Sequence, residues 1–281
     1  VGSEMCIRDR NDAAGLLIWM SHPAYPSFVW QTYDYYYDPT GAYWGAKKAC
    51  EPLHIQWNAS NNNIKVINTT AEDLKGAIAK ATIYNLNGKE VPAYGQTKQV
   101  DVAASNIAEA FSLNFNLFEI YGEKPKEIEE LTPLHFIKLE LTDAKGSLIS
   151  ENFYWRNGVR DLDYTLLNTL PEVALSCRLV DKSMSDGRMK IAVKNNSETV
   201  AFANRVRLVN KATQKRILPI IMSDNYVTLM PGEEKVITME ATPELLKGGV
   251  SVLVKQYGKA EKNKLDLSLI HISEPTRLQL I

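Results

Sequence analysis

The stretch His135–Trp155, HFIKLELTDAKGSLISENFYW, decides the fold. His135, Ile137, Leu139 and Leu141 alternate with Phe136, Lys138, Glu140 and Thr142. A period of two puts the first four on one face of a strand and the others on the opposite face. Asp143–Gly146 then reads as a turn, and Ser147–Trp155 as the returning strand. A hairpin with one apolar face needs a second layer to cover that face.

The neighbouring sequence supplies that layer. Asn87-Gly88 stands between the strand-like runs Ala77–Leu86 and Lys89–Tyr94, and Ile64 and Val66 alternate with polar residues. Asn-Gly between two such runs is the strongest short hairpin signal. Residues 54–156 therefore predict an antiparallel, immunoglobulin-like β-sandwich. Residues 157–172 read as a linker of mixed polarity. Beyond it lie seven more strand-like runs: Ala174–Val180, Arg188–Lys194, Phe202–Val209, Arg216–Ile221, Tyr226–Leu229, Glu234–Glu240 and Val250–Lys255. Asp186-Gly187 and Pro231-Gly232 supply turns. Residues 173–260 thus predict a second sandwich of the same kind, without an exact sequence repeat.

Upstream the pattern differs. Gly15–Met20, GLLIWM, is a continuous apolar run of the sort found in a parallel strand covered on both faces. Ser21–Ser27 is a loop punctuated by Pro23 and Pro26, and the aromatic run Phe28–Tyr37, FVWQTYDYYY, follows. Asp38–Gly41 turns into a helix over Ala42–Cys50, which Pro52 stops. One such βα unit cannot bury its own strand. It is expected to dock against the first sandwich or to stay poorly ordered. The expected fold class is mainly β: two tandem immunoglobulin-like β-sandwiches preceded by a single βα unit (residues 11–53) left over from a TIM barrel.

Composition narrows the function. The chain is 45% hydrophobic and 23% charged, with a net charge of −1. That balance is globular and carries no basic footprint for nucleic acid. No apolar run reaches membrane-spanning length, so no membrane partner is expected. Cys50 and Cys177, far apart, make no disulfide framework. The histidines are scattered and the cysteines isolated, so neither a metal nor a cofactor is expected. Asn58-Ala-Ser, Asn68-Thr-Thr and Asn195-Asn-Ser match the glycosylation sequon. The head, Val1–Asp9, and the tail, Leu267–Arg277, read as translations of complementary strands of one transposon-type sequencing adapter. Residues 1–10 and 267–281 are therefore expected to be non-native, with the natural segment open at both ends.

The segment IWMSHPAYPSFVWQTYDYYYDPTGAYWGAKKACEPLHIQ (residues 18–56) resembles the last barrel strand and helix of glycoside hydrolase family 2. Within it, the branch holding exo-β-D-glucosaminidases and β-mannosidases is most similar. The matching features are Trp19, Tyr25-Pro26, the aromatic-Asp-aromatic step Tyr33-Asp34-Tyr35, and Gly41–His54. Ser223–Glu240 resembles that family's last immunoglobulin-like domain. The resemblance implies a retaining glycosidase, with a carbohydrate substrate and a barrel and N-terminal domains elsewhere in the same protein. It favours a periplasmic or secreted location. It implies that Trp19 forms a wall of the sugar subsite, that Tyr25 contacts sugar at the rim, and that His22 hydrogen-bonds a hydroxyl. Asp12, Asp34 and Asp38 match neither catalytic role, so no catalytic residue is assigned and this portion alone is expected to be inactive. Asp34 is expected to cap the segment after it, and the tyrosine run to be packing. Two other readings stand beside this one. The sandwiches are a carbohydrate-binding module, with Trp57 and Trp155 as its platform, or they are spacer domains.

Overall fold

The structure, a computed structural model, describes residues 18–27, 31–115, 131–159, 163–183 and 186–267. Gly15–Leu17, Phe28–Trp30, the charged run Gly122–Glu130, and almost all of the head and tail lie outside the described residues. The chain forms two compact units. One takes in the chain up to Ser21 together with Ala42–Leu170. The other takes in the described residues of His22–Gly41 and those from Pro171, so His22–Gly41, expected to dock against the first sandwich, packs with the second.

The first unit starts from helix α1 (Gly41–Ala49), which carries Lys47 and Lys48 in its last turn, where the helix dipole favours cations. Seven strands follow: β1 (Leu53–Trp57), β2 (Asn63–Asn68), β3 (Leu74–Asn85), β4 (Gln96–Val102), β5 (Asn106–Ser112), β6 (Leu134–Thr142) and β7 (Leu148–Asn157). They make two antiparallel sheets, ordered β1-β2-β5 and β4-β3-β6-β7. The alternation in β6 does what its period requires. His135, Ile137, Leu139 and Leu141 are all buried and Lys138, Glu140 and Thr142 half-exposed, but Phe136, on the second face, is buried too, where it meets Phe153. Ile137, Leu139 and Leu141 join Ile55, Ile64, Val66, Ile83 and Phe111 in one core.

The second unit holds β8 (Leu175–Ser183), β9 (Arg188–Asn195), β10 (Ala201–Asn210), β11 (Ile221–Met222), β12 (Val227–Leu229), β13 (Glu234–Glu240), β14 (Val250–Lys255) and β15 (Glu261–Leu267). They form antiparallel sheets ordered β11-β13-β9-β8 and β12-β10-β14-β15. β15 lies past the expected end of the sandwich at residue 260. It runs to Leu267, the first residue of the tail read as adapter, and pairs it with Val250. The Asp186-Gly187 turn admits no side chain. A Cβ on Gly187, whose φ is +72°, would sit 1.8 Å from the carbonyl oxygen of Ala241.

Three expected strands are shortened or missing, each for a stated reason. Ile18–Met20 are not in a strand, and all three side chains are exposed. A parallel strand is stable only when paired and covered, and no described strand pairs with these residues. Lys89–Tyr94 keeps one bridge, Tyr84 to Glu90, before Pro92 opens a short 3₁₀ turn at Pro92–Tyr94. Arg216–Ile221 reduces to a bridge from Arg216 to Val209 and the two residues of β11. Pro219 has no N–H to give a ladder there. The linker region contains a 3₁₀ turn, Thr165–Thr169, with Leu167 buried.

Candidate functional site

The three sequence-predicted contact residues sit in or beside the loop before α1. Trp19, in the first unit, is 78% exposed. In the second unit, Tyr25 is 69% exposed and His22 is half-buried. His22 is held from two sides. Its ring stacks on Tyr37, with centroids 4.2 Å apart and planes at 12°. Its Nε2 lies 3.1 Å from the backbone carbonyl oxygen of Tyr35. That acceptor requires the proton on Nε2, which turns Nδ1 to other partners.

The tyrosine run presents exposed rings next to His22. Tyr36 and Tyr37 are 57% and 66% exposed. Tyr35 and Tyr36 meet edge to face at 5.2 Å. The rings thus cluster with one another and with His22 at a surface. Large rings offer contact area at low entropy cost, as sugar faces require.

The backbone beneath them is tightly tied. Asp34 Oδ1 accepts from Tyr36 N at 2.8 Å and from Asp38 N at 3.0 Å, an Asx-type cap. Tyr37 N donates to Asp34 O at 3.0 Å, Asp34 N to Asp38 O at 3.0 Å, and Thr40 N to Thr32 O at 2.9 Å. Thr40 Oγ1 donates to Gln31 O at 2.8 Å. Burial would raise the Asp34 pKa, but these amides and Arg216 hold it below the ordinary carboxylate range. Arg216 Nη1 reaches Asp34 Oδ2 at 3.0 Å and Asp38 Oδ2 at 3.2 Å. Arg205 also donates to Asp38, and the Arg216 guanidinium lies 5.4 Å from the Tyr36 ring centre. Neither arginine was picked out from the sequence. The signal was the pair of aspartates bracketing the tyrosines in Tyr33–Asp38, which asks for cations from elsewhere in the chain.

A second polar cluster lies in the first unit. Ser150 Oγ donates to Glu51 Oε2 at 2.7 Å, and His54 Nδ1 donates to the same oxygen at 3.1 Å. Asn152 Nδ2 lies 3.2 Å from His54 Nε2 and donates to Tyr154 Oη at 2.6 Å. Burial would raise the Glu51 pKa, but bonds from His54 and Ser150 and the Lys48 charge bring it down to about 2. The residue types suggest a hydrolytic triad, yet the geometry does not. Ser150 donates to a carboxylate too weakly basic to activate it, and His54 bonds that same carboxylate oxygen. This cluster fixes the end of α1 to β1 and β7.

The proposed platform of a binding module does not form. Trp57 is buried and Trp155 half-buried, the latter packed edge to face with Tyr164 at 6.4 Å. The three sequon asparagines, Asn58, Asn68 and Asn195, are all buried. Among the described residues no group of three His, Cys, Asp or Glu could hold a metal, and no helix is long and apolar enough to cross a membrane.

Comparison with known proteins places this arrangement. Residues 152–257 match the exo-β-D-glucosaminidase Ig-fold domain. The exo-β-D-glucosaminidase of Amycolatopsis orientalis is 31% identical over 85% of this chain and 24% of its own length. The mannosylglycoprotein endo-β-mannosidase of Lilium longiflorum is 24% identical over 78% of this chain and 28% of its own. A crystal structure of the Amycolatopsis orientalis exo-chitosanase CsxA superposes with a TM-score of 0.74 at 29% identity, over 93% of this chain and 32% of that one. The chain thus spans about a quarter to a third of the relatives it matches. Over most of its length it is similar to a portion of the exo-β-D-glucosaminidases and their β-mannosidase relatives, and residues 152–257 carry the Ig-fold domain of the former.

Proposed function

We propose that this chain is the C-terminal portion of a retaining exo-acting β-glycosidase whose substrate is a β-linked glucosaminide, with β-mannosides as the alternative. Retention needs two carboxylates about 5–5.5 Å apart, one as acid and base, the other as nucleophile. In this reading both come from barrel strands outside this chain. Asp34 and Asp38 are unsuited to either role, because arginines and backbone amides already occupy them. Trp19 supplies an aromatic wall for the sugar, Tyr25 a rim contact, and His22 a hydrogen bond to a hydroxyl. The sandwiches brace the barrel.

What supports this reading is that Trp19 and Tyr25 stand in or beside the loop before α1, at the positions the family resemblance marks for substrate. The test is Trp19→Ala in a hybrid enzyme, in which this chain replaces the matched part of the Amycolatopsis orientalis exo-β-D-glucosaminidase. Loss of a stacking wall should raise KM for p-nitrophenyl β-D-glucosaminide roughly tenfold, about 1.4 kcal/mol. An unchanged KM would remove Trp19 from the subsite.

A further inference from the structure

We infer that Arg205 and Arg216, in the second sandwich, are positioning residues for the substrate loop, acting on His22 through the hairpin Gln31–Thr40. The inference rests on the proposed role of His22 for its functional meaning, and on geometry alone for its mechanism.

The linkage runs through residues of one unit. Arg205 lies in β10, at the point where it pairs with Lys255 of β14. Arg216 is fixed by its bridge to Val209, also of β10. Arg205 therefore projects from a strand hydrogen-bonded on both sides, the stiffest place a sandwich offers, and Arg216 from a segment bridged to that same strand. They meet Asp38, which is buried, and Arg216 also meets Asp34. A buried carboxylate without its cation is strongly destabilised, so these pairs hold the hairpin to the sheet and do not merely decorate it. Tyr226, in the left-handed region at φ +52°, places its ring beside Gly41 at the hairpin's far end.

The two aspartates bracket Tyr35 and Tyr37, the residues that fix His22. Tyr35 gives it a carbonyl oxygen and Tyr37 gives it a ring face. Both are surface contacts on a short loop, too weak to order that loop unless their own backbone is fixed. The arginines fix it. Thus a loop placed for barrel chemistry takes its shape from an accessory sandwich, and the sandwich has a role in the site beyond bracing.

Nuclear magnetic resonance on the whole chain tests this. Stacked 4.2 Å over Tyr37, the His22 ring protons should resonate upfield of free histidine. The double variant Arg205→Gln/Arg216→Gln should lose that shift. Amide exchange at Asp34, Tyr37 and Thr40 should rise at least about tenfold. Arg216→Lys should retain both signals, because a single nitrogen of Arg216 bridges the two aspartates and an ammonium can do the same. Arg178→Gln breaks a comparable pair with Glu234 elsewhere in the unit and should change neither. Tyr37→Leu should abolish the His22 shift while leaving amide protection in place, which separates the stack from the clamp.

An unaltered His22 shift and unaltered exchange in the double variant would overturn the inference. Failure of the sugar reading shows differently. In the hybrid enzyme, His22→Ala would leave KM unchanged while the clamp still governs the His22 resonance.

Discussion

Asn68 and Asn195 make the same hydrogen bonds at the same distances along the chain, one in each sandwich. Each Nδ2 donates to the carbonyl four residues on, at 2.7 Å in both cases, and to the carbonyls 34 and 35 residues on. Each Oδ1 accepts from the backbone amide two residues on, at 2.9 Å for Thr70 and 3.0 Å for Ser197. Each asparagine ends a strand, β2 or β9, and is buried. The two sandwiches therefore share one structural device, an asparagine corner that satisfies three carbonyls where the chain leaves the sheet.

Truncating this corner strands buried acceptors, which costs more than the bonds themselves contribute. Asn195→Ala should destabilise the second sandwich by about 2–4 kcal/mol, and Asn68→Ala the first by a similar amount. Urea unfolding read in each background checks both. A glycan on either Nδ2 would remove one of the protons the corner uses. Expressed in a glycosylating host, folded monomer should show these two sequons unoccupied by mass spectrometry.

Glu51 predicts an acid transition of the first unit. Its pKa falls from 4.5 to about 2 on folding, so the folded state binds fewer protons across that interval. The stabilisation is complete above pH 4.5 and is lost as the pH drops toward 2. The carboxylate is partly exposed, and solvent screening reduces its contribution to on the order of 1–2 kcal/mol. Glu51→Gln should flatten the urea midpoint against pH in this window and leave neutral-pH stability lower.

His135 acts in a different window. Burial lowers its pKa from 6.5 to about 4, and the positive charge of Arg156 adds to the effect. Arg156 is held 4.5 Å over the Phe115 ring and 3.4 Å from His135 Nε2. The folded state keeps this imidazole neutral, so stability is complete above pH 6.5 and declines as the pH falls to 4. The loss amounts to about 3 kcal/mol. His135→Gln should remove the slope between those values. Thermal melts across pH 4.5 to 7 distinguish it from Glu51, which acts below that range.

The sandwiches were legible in the sequence because parts of several strands have one covered face, and a period of two records that directly. Ile137, Leu139 and Leu141 in β6 are the clearest case. Proline was less well weighed. Pro92 and Pro219 each cut short a run whose composition suits a strand, because composition does not count donors. The Asn-x-Ser/Thr triplets match the sequon without modification being expected, and the same three residues after a strand also spell an Asx turn. Trp19, Tyr25 and His22 were singled out through family resemblance alone. Sequence reading did not reach Arg205 or Arg216. The Asp38–Arg205 pair joins residues 167 positions apart, and no local pattern encodes that contact.

The central claim is that this chain is a working part of a β-glucosaminide-cleaving enzyme. The direct measurement is hydrolysis of p-nitrophenyl β-D-glucosaminide by the hybrid enzyme, set beside the same relative with its matched part deleted. The account predicts turnover in the hybrid, none in the deletion, and none in this chain alone. A hybrid that folds and melts cooperatively yet turns over no more than the deletion would contradict it.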